Sequence, residues 1–197
     1  MAGKDGFTSI TPGVRLMLAT GAISRIRLKL TFSYRVALIA FERLAELIHA
    51  AHNTRDLKAR GATEAGASHY PLFMLLHASW LFSLLVFVPW DTKPNWFWLG
   101  LMIALQAARL WVILSLGPYW TTRIVTLPGA PLVRRGPYRF LRHPNYAVVI
   151  AEIAALPLAF GAYAIALAFS LANLALIAWR VRIEDRALAA RRRIAAG

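Results

Sequence analysis

The segment best equipped for chemistry is GPYRFLRHPNY, residues 136–146. Its proline pairs, Gly136–Pro137 and His143–Pro144, indicate turns, because a residue that precedes proline is biased away from the helical conformation. Guanidinium groups, an imidazole ring, an amide and two phenols lie between these turns or next to them. Such groups can bind a polar ligand, or they can form an interfacial loop that contacts lipid headgroups. The side chains concerned are those of Tyr138, Arg139, Arg142, His143, Asn145 and Tyr146.

A second group of charged residues occurs in WRVRIEDRAL, residues 179–188. Arg180 and Glu184 are spaced i, i+4, and Glu184 is followed directly by Asp185. A simple explanation is a salt-bridged helix end, which contributes only roughly 0.2–0.5 kcal/mol. If the chain folds back and brings this acid pair to the 136–146 segment, carboxylates and aromatic rings could instead hold a cationic ligand between them.

Composition predicts the environment in which these groups lie. Of 197 residues, 58% are hydrophobic, yet the net charge is +14. A small soluble domain cannot bury so much apolar surface, and the apolar residues come in blocks long enough to cross a bilayer, which takes about 20 residues. The basic clusters abut these blocks, which favours membrane lipid over nucleic acid as their partner. The chain has no cysteine, which excludes disulfides, thiolate metal sites and cysteine nucleophiles.

The apolar blocks predict an all-α fold, an integral membrane bundle of about five transmembrane helices. We expect a basic, interfacial N-terminal segment at 1–31 and three transmembrane helices within 32–116. The final part, 117–197, is expected to consist of the loop with the 136–146 segment, a helical hairpin and a charged C-terminal helix. The first three spans are predicted at about 32–50, 71–90 and 96–116.

The last apolar block predicts a helical hairpin. Residues 146–179 are apolar except for Glu152 and a few hydroxyl and amide groups. One helix over this stretch would be about 51 Å long, whereas the hydrocarbon core of a bilayer is about 30 Å thick. Pro157 and Gly161 near its middle favour a break. The two helices of the hairpin are expected at about 145–160 and 162–180.

Basic residues predict the orientation in the membrane. Residues 117–144 contain five arginines and no acid, and the tail is also rich in arginine, so the positive-inside rule places both in the cytoplasm. Because a hairpin returns the chain to the same side, both motifs are expected at the cytoplasmic face, of a bacterial inner membrane. Five crossings then place the basic N-terminal segment outside, where the positive-inside rule does not expect it. The sequence does not resolve this conflict.

Charged residues within the first predicted span are costly at membrane depth unless they pair. Glu42 and Glu46 share one helix face, and we expect both to form ion pairs inside the bundle. Their expected partners are Arg35 or Arg43. His49 and the histidine three residues later lack a third ligand at a convincing spacing, so no metal site is expected.

Together the two motifs resemble the signature of a known family. The pattern G-P-Y-R-x-x-R-H-P-x-Y, followed about forty residues later by an arginine and an acid pair, is typical of the isoprenylcysteine carboxyl methyltransferase family and its phospholipid methyltransferase relatives. This chain is similar to it over about 115–188, with GPYRFLRHPNY, Arg180 and the pair Glu184–Asp185. The usual pair is Glu-Glu, and Asp185 here is one methylene shorter.

The resemblance implies a membrane methyltransferase that uses S-adenosylmethionine, releases S-adenosylhomocysteine, and methylates a hydroxyl or carboxyl group of a lipophilic small molecule. It implies that Arg180 and Glu184 are catalytic, and we expect Arg180 to orient the anionic oxygen of the acceptor, because a guanidinium stays charged at a partly dry site. No G-x-G-x-x-G fingerprint is present, which fits a cofactor site unlike that of soluble dinucleotide-binding enzymes. The implied cofactor-binding residues are Tyr138, Arg139, His143, Asn145, Tyr146, Glu184 and Asp185.

A finer resemblance concerns residues 116–146, LGPYWTTRIVTLPGAPLVRRGPYRFLRHPNY. This stretch is similar to a bacterial subgroup associated with type III polyketide synthases, which implies O-methylation of alkylpyrones or alkylresorcinols. Alternatives are a phospholipid or prenylcysteine methyltransferase, an NADPH-dependent membrane reductase of the sterol reductase type, and a non-catalytic membrane scaffold or carrier. The reductase should show further cofactor motifs upstream and a carrier should show internal repeats, and the sequence shows neither.

Overall fold

The structure, a computed structural model, describes residues 37–194. It confirms the predicted all-α bundle, to which a single two-stranded sheet is added. The helices are α1 (37–59), α2 (Tyr70–Phe87), α3 (Trp96–Leu116), α4 (Pro144–Ala159) and α5 (Tyr163–Ile194), and the strands are β1 (Thr63–Ala65) and β2 (Ile124–Thr126). The predicted interfacial segment at 1–31 lies outside the described residues.

Within residues 37–194, three helical stretches are long and apolar enough to cross a membrane: Ala67–Phe87, Trp96–Tyr119 and Tyr163–Ala189. The apolar helix α4 is shorter, with 16 residues. Large apolar side chains such as Phe82, Ile103 and Leu167 are exposed on the outside of the bundle. An outer surface of this kind suits lipid, because a water-soluble monomer rarely exposes so large a continuous apolar surface.

The predicted hairpin is confirmed, and its turn lies at Gly161, which has a φ of 68° that favours glycine. Pro157, predicted as part of the break, lies inside the last turn of α4. Its carbonyl oxygen accepts hydrogen bonds from the backbone N–H groups of Phe160 (3.0 Å) and Ala162 (2.9 Å), which close the turn. The backbone N–H of Asn95 donates to the carbonyl oxygen of Ala159 (2.7 Å), so the loop before α3 is joined to this turn.

Two helices extend beyond the membrane spans predicted for them. Helix α5 has 32 residues, Tyr163–Ile194, so the span predicted to end near residue 180 and the charged helix predicted after it form one continuous helix. Residues 181–194 contain no glycine or proline to stop it. At about 1.5 Å per residue α5 is about 48 Å long, so its last turns extend beyond a hydrocarbon core of about 30 Å. Helix α1 continues to residue 59, past the predicted end at 50.

The core lies between α2, α4 and α5, with Trp80, Leu84, Ile153 and Leu156 among its buried side chains. Helix α3 packs along α4 and contributes Met102 to the same core. The helices that carry the two motifs, α4 and α5, are therefore held together along their length. The motif residues near their ends are brought to one end of the bundle.

The strands β1 and β2 pair antiparallel, with Thr63 opposite Thr126, and pack against α5. Glu64 on β1 binds Arg123 (2.6 Å) just before β2 and Lys58 at the end of α1. Burial raises the pKa of the Glu64 carboxyl, but the hydrogen bonds and charges of Lys58 and Arg123 outweigh burial and hold its pKa below the usual value. The sheet thus fixes the connection after α3 beside the C-terminal half of α5.

Candidate functional site

The 136–146 segment begins as a 3-10 helix, Gly136–Arg139, that packs on the end of α3. Gly136 has a φ of 56°, and a Cβ atom at this position would lie 2.1 Å from the Oγ atom of Ser115. Glycine is therefore required here both for its conformation and for the lack of a side chain. Arg135 adds a second attachment, because its Nε donates to the carbonyl oxygen of Ser115 (2.8 Å).

The segment ends in the first turn of α4, which begins at Pro144. Proline suits this position because the first N–H groups of a helix have no partner within the helix. His143 precedes it and Tyr146 follows it, and their rings stack with centroids 5.3 Å apart and an angle of 18° between the planes. The local turn therefore presents an imidazole and a phenol side by side.

These two rings meet the acid pair of α5, as the fold-back of the hairpin predicts. The Nε2 atom of His143 lies 3.1 Å from Oδ1 of Asp185, and its Nδ1 atom lies 3.7 Å from Oε2 of Glu184. The hydroxyl group of Tyr146 donates to Oε2 of Glu184. The two motifs, about forty residues apart in sequence, form one cluster.

The hydroxyl group of Tyr146 joins the two charged residues that the sequence spaces i, i+4. It accepts from Nε of Arg180 (2.8 Å) while it donates to Glu184. Arg180 is buried, donates from NH2 to the carbonyl oxygen of Thr122 (2.7 Å), and lies with its guanidinium carbon 5.2 Å from the centroid of the Phe73 ring. We call Tyr146, Arg180 and Glu184 the polar corner.

The polar corner lies on the wall of a cavity of about 740 Å3. This volume is within the range of about 300–1,000 Å3 that is typical of ligand pockets. Apolar side chains of α1 and α2, among them Leu44, Leu47 and Met74, line another part of the wall. The cavity therefore combines a charged end with an apolar wall.

Most residues that the sequence analysis selected as site residues line this cavity: Tyr138, His143, Asn145, Tyr146, Arg180 and Glu184. Arg139 is exposed instead, with its guanidinium carbon 5.9 Å from the centroid of the Phe140 ring. Asp185 contacts the cavity residue His143 but is not part of the cavity wall.

Two of the lining residues have polar atoms that suit a ligand. Asn145 has a buried Oδ1 atom that has no hydrogen-bond partner among the described residues. Burial raises the pKa of Tyr138, and the nearby negative charge of Glu184 raises it further. The Tyr138 phenol therefore keeps its proton at physiological pH and can donate a hydrogen bond.

A second charged group lies inside the bundle, between α1, α3 and α4. The predicted pairing of Arg43 is confirmed, because it binds Glu46 (3.0 Å) and also lies 3.8 Å from Glu42. Arg109 on α3 binds Glu46 through two nitrogens (2.5 and 2.6 Å) and Glu152 on α4 (3.1 Å). We call Arg43, Glu46, Arg109 and Glu152 the inner ionic cluster; Arg35 lies outside the described residues.

Sequence reasoning missed several residues of this cavity. Arg109 is the sole charged residue of α3, and an ionisable residue inside an apolar span is itself a signal of function. His77 on α2 lines the cavity too, whereas its sequence context indicates only an interfacial or packing residue. Thr122 and Phe73 contact Arg180 through a backbone carbonyl and an apolar ring, for which the sequence contains no signal.

His49 and His52 have ordinary protein partners. His49 lies 3.4 Å from the side-chain nitrogen of Asn53, which itself donates to the carbonyl oxygen of Trp120 (2.9 Å). His52 forms an exposed pair with Asp56 (3.3 Å). Within the part of the chain that the structure describes, no three histidine, cysteine or acidic side chains form a group that could hold a metal ion.

Comparison with known proteins agrees with this site. Residues 98–190 match the model of the isoprenylcysteine carboxyl methyltransferase (ICMT) family. An uncharacterized protein of Bacillus subtilis (strain 168), YpbQ, is 41% identical over 157 residues, which cover 78% of this chain and 94% of the relative. An uncharacterized protein of Haemophilus influenzae is 27% identical over 139 residues, which cover 68% of this chain and 81% of the relative. No solved structure is significantly similar to the chain.

The matched region contains α4, most of α5 and the whole 136–146 segment, and so includes the polar corner. The B. subtilis relative is similar over nearly its full length. The chain belongs to the isoprenylcysteine carboxyl methyltransferase family of integral membrane methyltransferases.

Proposed function

We propose that this protein is an S-adenosylmethionine-dependent O-methyltransferase, which methylates a hydroxyl or carboxyl group of a lipophilic acceptor, with alkylpyrone-type polyketides favoured. The observation that supports this most is the polar corner, where a buried guanidinium and a carboxylate lie beside a cavity that also has an apolar wall. A polar, cationic cosubstrate and an apolar acceptor need these two kinds of surface.

The residues of the cavity fit the cofactor. S-adenosylmethionine carries an ammonium and a sulfonium group, which a carboxylate such as Glu184 and the faces of Tyr138 and Tyr146 would hold. The unpartnered Oδ1 atom of Asn145 would accept a hydrogen bond from it. When bound, the cofactor supplies the methyl group and is released as S-adenosylhomocysteine.

Arg180 would hold the oxygen atom of the acceptor that receives the methyl group. Its charge persists in a dry site, and Tyr146 and the carbonyl of Thr122 restrict its guanidinium to one position. Glu184 compensates this charge through the Tyr146 hydroxyl. The charge of Arg180 would favour the anionic form of an enol, phenol or carboxylic acid, so the acceptor would release its proton to water before its oxygen accepts the methyl group. Positioning and exclusion of water would then supply most of the rate.

The apolar wall supports a lipophilic acceptor that enters from the membrane. Leu44 on α1 and Met74 on α2 line the cavity and are also exposed. This supports a lateral entrance between α1 and α2, with membrane lipid as the neighbour. At the other end Arg134, Arg139 and Arg142 are exposed, which supports a cofactor entrance at the cytoplasmic face of a bacterial inner membrane.

The test begins with binding to detergent-purified protein. We expect S-adenosylhomocysteine to bind and NADPH not to bind, and the reverse result would replace the proposal with the reductase alternative. Methylation with radiolabelled cofactor is then measured on an alkylpyrone, an alkylresorcinol, a prenylcysteine and phosphatidylethanolamine. Preference for the prenylcysteine or the phospholipid would contradict the favoured acceptor class.

The role of Arg180 is tested with the variant Arg180→Leu. Loss of a charged hydrogen-bond donor from a buried site typically costs about 1.5–3 kcal/mol, so the methylation rate should fall roughly tenfold to a hundredfold. Arg182→Leu is the matched control, because Arg182 is an exposed arginine on the same helix and is not part of the cavity wall. An unchanged rate in a folded Arg180→Leu protein would show that another group orients the acceptor.

A further inference from the structure

The inner ionic cluster forms part of the wall of the same cavity as the polar corner. Arg43, Glu46 and Arg109 line it, as does His77 on α2. Ionic groups between membrane helices are costly, and apolar side chains would hold α1, α3 and α4 together at least as well. The position of these groups on a ligand-sized cavity therefore needs a reason other than helix packing.

The guanidinium groups of the cluster have donors left for a ligand. Each guanidinium has five N–H donors. The described residues form three hydrogen bonds with Arg43, to Glu46, Gln106 and Glu152. They also form three with Arg109. An oxygen atom of a ligand in the cavity can accept from the donors that remain.

His77 adds an acceptor next to these donors. Its Nδ1 atom lies 2.8 Å from the carbonyl oxygen of Phe73. Since a carbonyl oxygen only accepts, Nδ1 carries the proton, and the Nε2 atom of the neutral ring keeps its lone pair. No described residue forms a hydrogen bond with Nε2. A hydroxyl group in this part of the cavity can therefore donate to His77 and accept from a guanidinium.

Phe73 on α2 contacts both polar parts of the cavity wall, because its ring lies against Arg180 and its carbonyl oxygen binds His77 one helical turn later. We therefore expect an acceptor ring that presents one oxygen atom to Arg180 to direct a second oxygen atom towards His77. The alkyl chain of such an acceptor would lie along Leu44, Leu47 and Met74.

We infer that His77 and the inner ionic cluster form a second polar subsite, which binds a second hydroxyl group on the head group of the acceptor. The inference rests on the proposed function and narrows its substrate class to rings that carry two hydroxyl groups and an alkyl chain, so among the proposed acceptors it favours alkylresorcinols. His77 would then determine which acceptors the protein binds. The acceptor oxygen that receives the methyl group would still lie at the polar corner, next to Arg180.

The test compares two acceptors and four proteins. The acceptors are an alkylresorcinol and the alkylphenol of equal chain length that lacks the second hydroxyl group. The proteins are the wild type, His77→Asn, His77→Gln and the control His52→Asn. Asparagine can still donate to the Phe73 carbonyl but has no atom at the position of Nε2, and His52 is an exposed residue that does not line the cavity.

Direct binding of both acceptors to the detergent-purified proteins is measured first. A site built to bind a hydroxyl group discriminates strongly against an analogue without it, so we expect the wild type to bind the alkylresorcinol at least tenfold more tightly. In His77→Asn the ratio of the two affinities should fall to about one, because only the alkylresorcinol binds more weakly. His52→Asn should keep the preference. His77→Gln, whose longer side chain can place an amide oxygen near the position of Nε2, should recover part of it.

Several results would overturn the subsite. The first is equal affinity of the wild type for the two acceptors. The second is an unchanged preference in His77→Asn, and the third is an equal loss of affinity for both acceptors in folded His77→Asn. S-adenosylhomocysteine binding, measured in parallel, should be unchanged in every variant. If the wild type fails to bind S-adenosylhomocysteine, the proposed function fails, while the binding preference still decides the subsite independently.

Discussion

Among the individual residues, Tyr146 makes three kinds of contact at the polar corner. Its ring stacks on His143, and its hydroxyl group both accepts from Arg180 and donates to Glu184. A phenylalanine would keep the stacked ring, whereas any smaller residue would open a space beside it. The hydroxyl group can therefore be tested separately from the ring.

We expect Tyr146→Phe to lower the methylation rate roughly tenfold to a hundredfold, because hydrogen bonds to charged groups contribute about 1.5–3 kcal/mol. S-adenosylhomocysteine affinity should fall less, since the ring face remains. The measurement is steady-state methylation together with binding of S-adenosylhomocysteine. Tyr163→Phe is the control, because Tyr163 is an exposed tyrosine at the start of α5. A rate equal to that of the wild type would refute the role given to the hydroxyl group.

Among the elements, the 136–146 segment depends on its contact with the end of α3. Gly136→Ala places a Cβ atom 2.1 Å from Ser115 Oγ in a backbone conformation with positive φ, so the segment must move. We expect a lower melting temperature and loss of S-adenosylhomocysteine binding, measured on the purified protein. The control is Gly100→Ala within α3, where a Cβ atom has no neighbour within 4 Å. Wild-type binding by Gly136→Ala would contradict this account of the segment.

The small sheet should become less stable in acid, because its anchor Glu64 has a lowered pKa in the folded protein. Stability from such a group is fully present above the unfolded pKa, near 4.5, and is lost as the pH falls through the lower folded pKa. Glu64→Gln should therefore lower the melting temperature at pH near 7, and the difference from the wild type should close in acid.

Thermal unfolding of detergent-purified protein over a series of pH values measures this difference. Asp56→Asn serves as the control, since Asp56 pairs with His52 in an exposed position, where ion pairs contribute little. If the gap between Glu64→Gln and the wild type stayed constant down to acid pH, the ion pairs of Glu64 would not be its cause.

At the scale of the whole molecule, the inner ionic cluster connects three helices of the bundle. Arg109→Leu would leave Glu46 and Glu152 with Arg43 as their remaining partner in the cluster. Removal of one partner from a buried ion pair typically costs about 3–5 kcal/mol, so we expect a large loss of folded protein. Yield of monodisperse protein and its melting temperature measure this, with Arg182→Leu, a change at an exposed residue, as control.

The combined variant Arg109→Leu, Glu46→Leu should recover part of that yield, because it removes one positive and one negative charge together. Such a recovery would show that the folded protein lost in Arg109→Leu is lost because of uncompensated negative charge, and not because of the shape of the leucine side chain. A single variant Arg109→Leu as stable as the wild type would show that the cluster does not stabilise the bundle.

The sequence by itself determined the membrane class, the hairpin and the two motifs. These features depend on local properties: the length of an apolar block set against the thickness of a bilayer, the turn at Gly161, and the prolines around the 136–146 segment. These local properties do not depend on how the other helices pack. The family, too, could be recognised from the motifs, since their residues and spacing are specific.

Only the tertiary structure decided which side chains share one cavity. It turned Arg139 outward and Tyr146 inward, and brought Thr122 and Phe73 to Arg180. These contacts join residues far apart in the chain, so they depend on how the helices pack and not on local spacing.

The contacts of Glu46 on α1 with Arg43 on the same helix and with Arg109 on α3 show the same dependence on packing. The sequence showed that charges inside an apolar span need partners, but the identity of those partners depends on which helix faces α1. The continuity of α5 past Arg180 also emerged from the structure, because residues 181–194 contain no glycine or proline that would stop a helix.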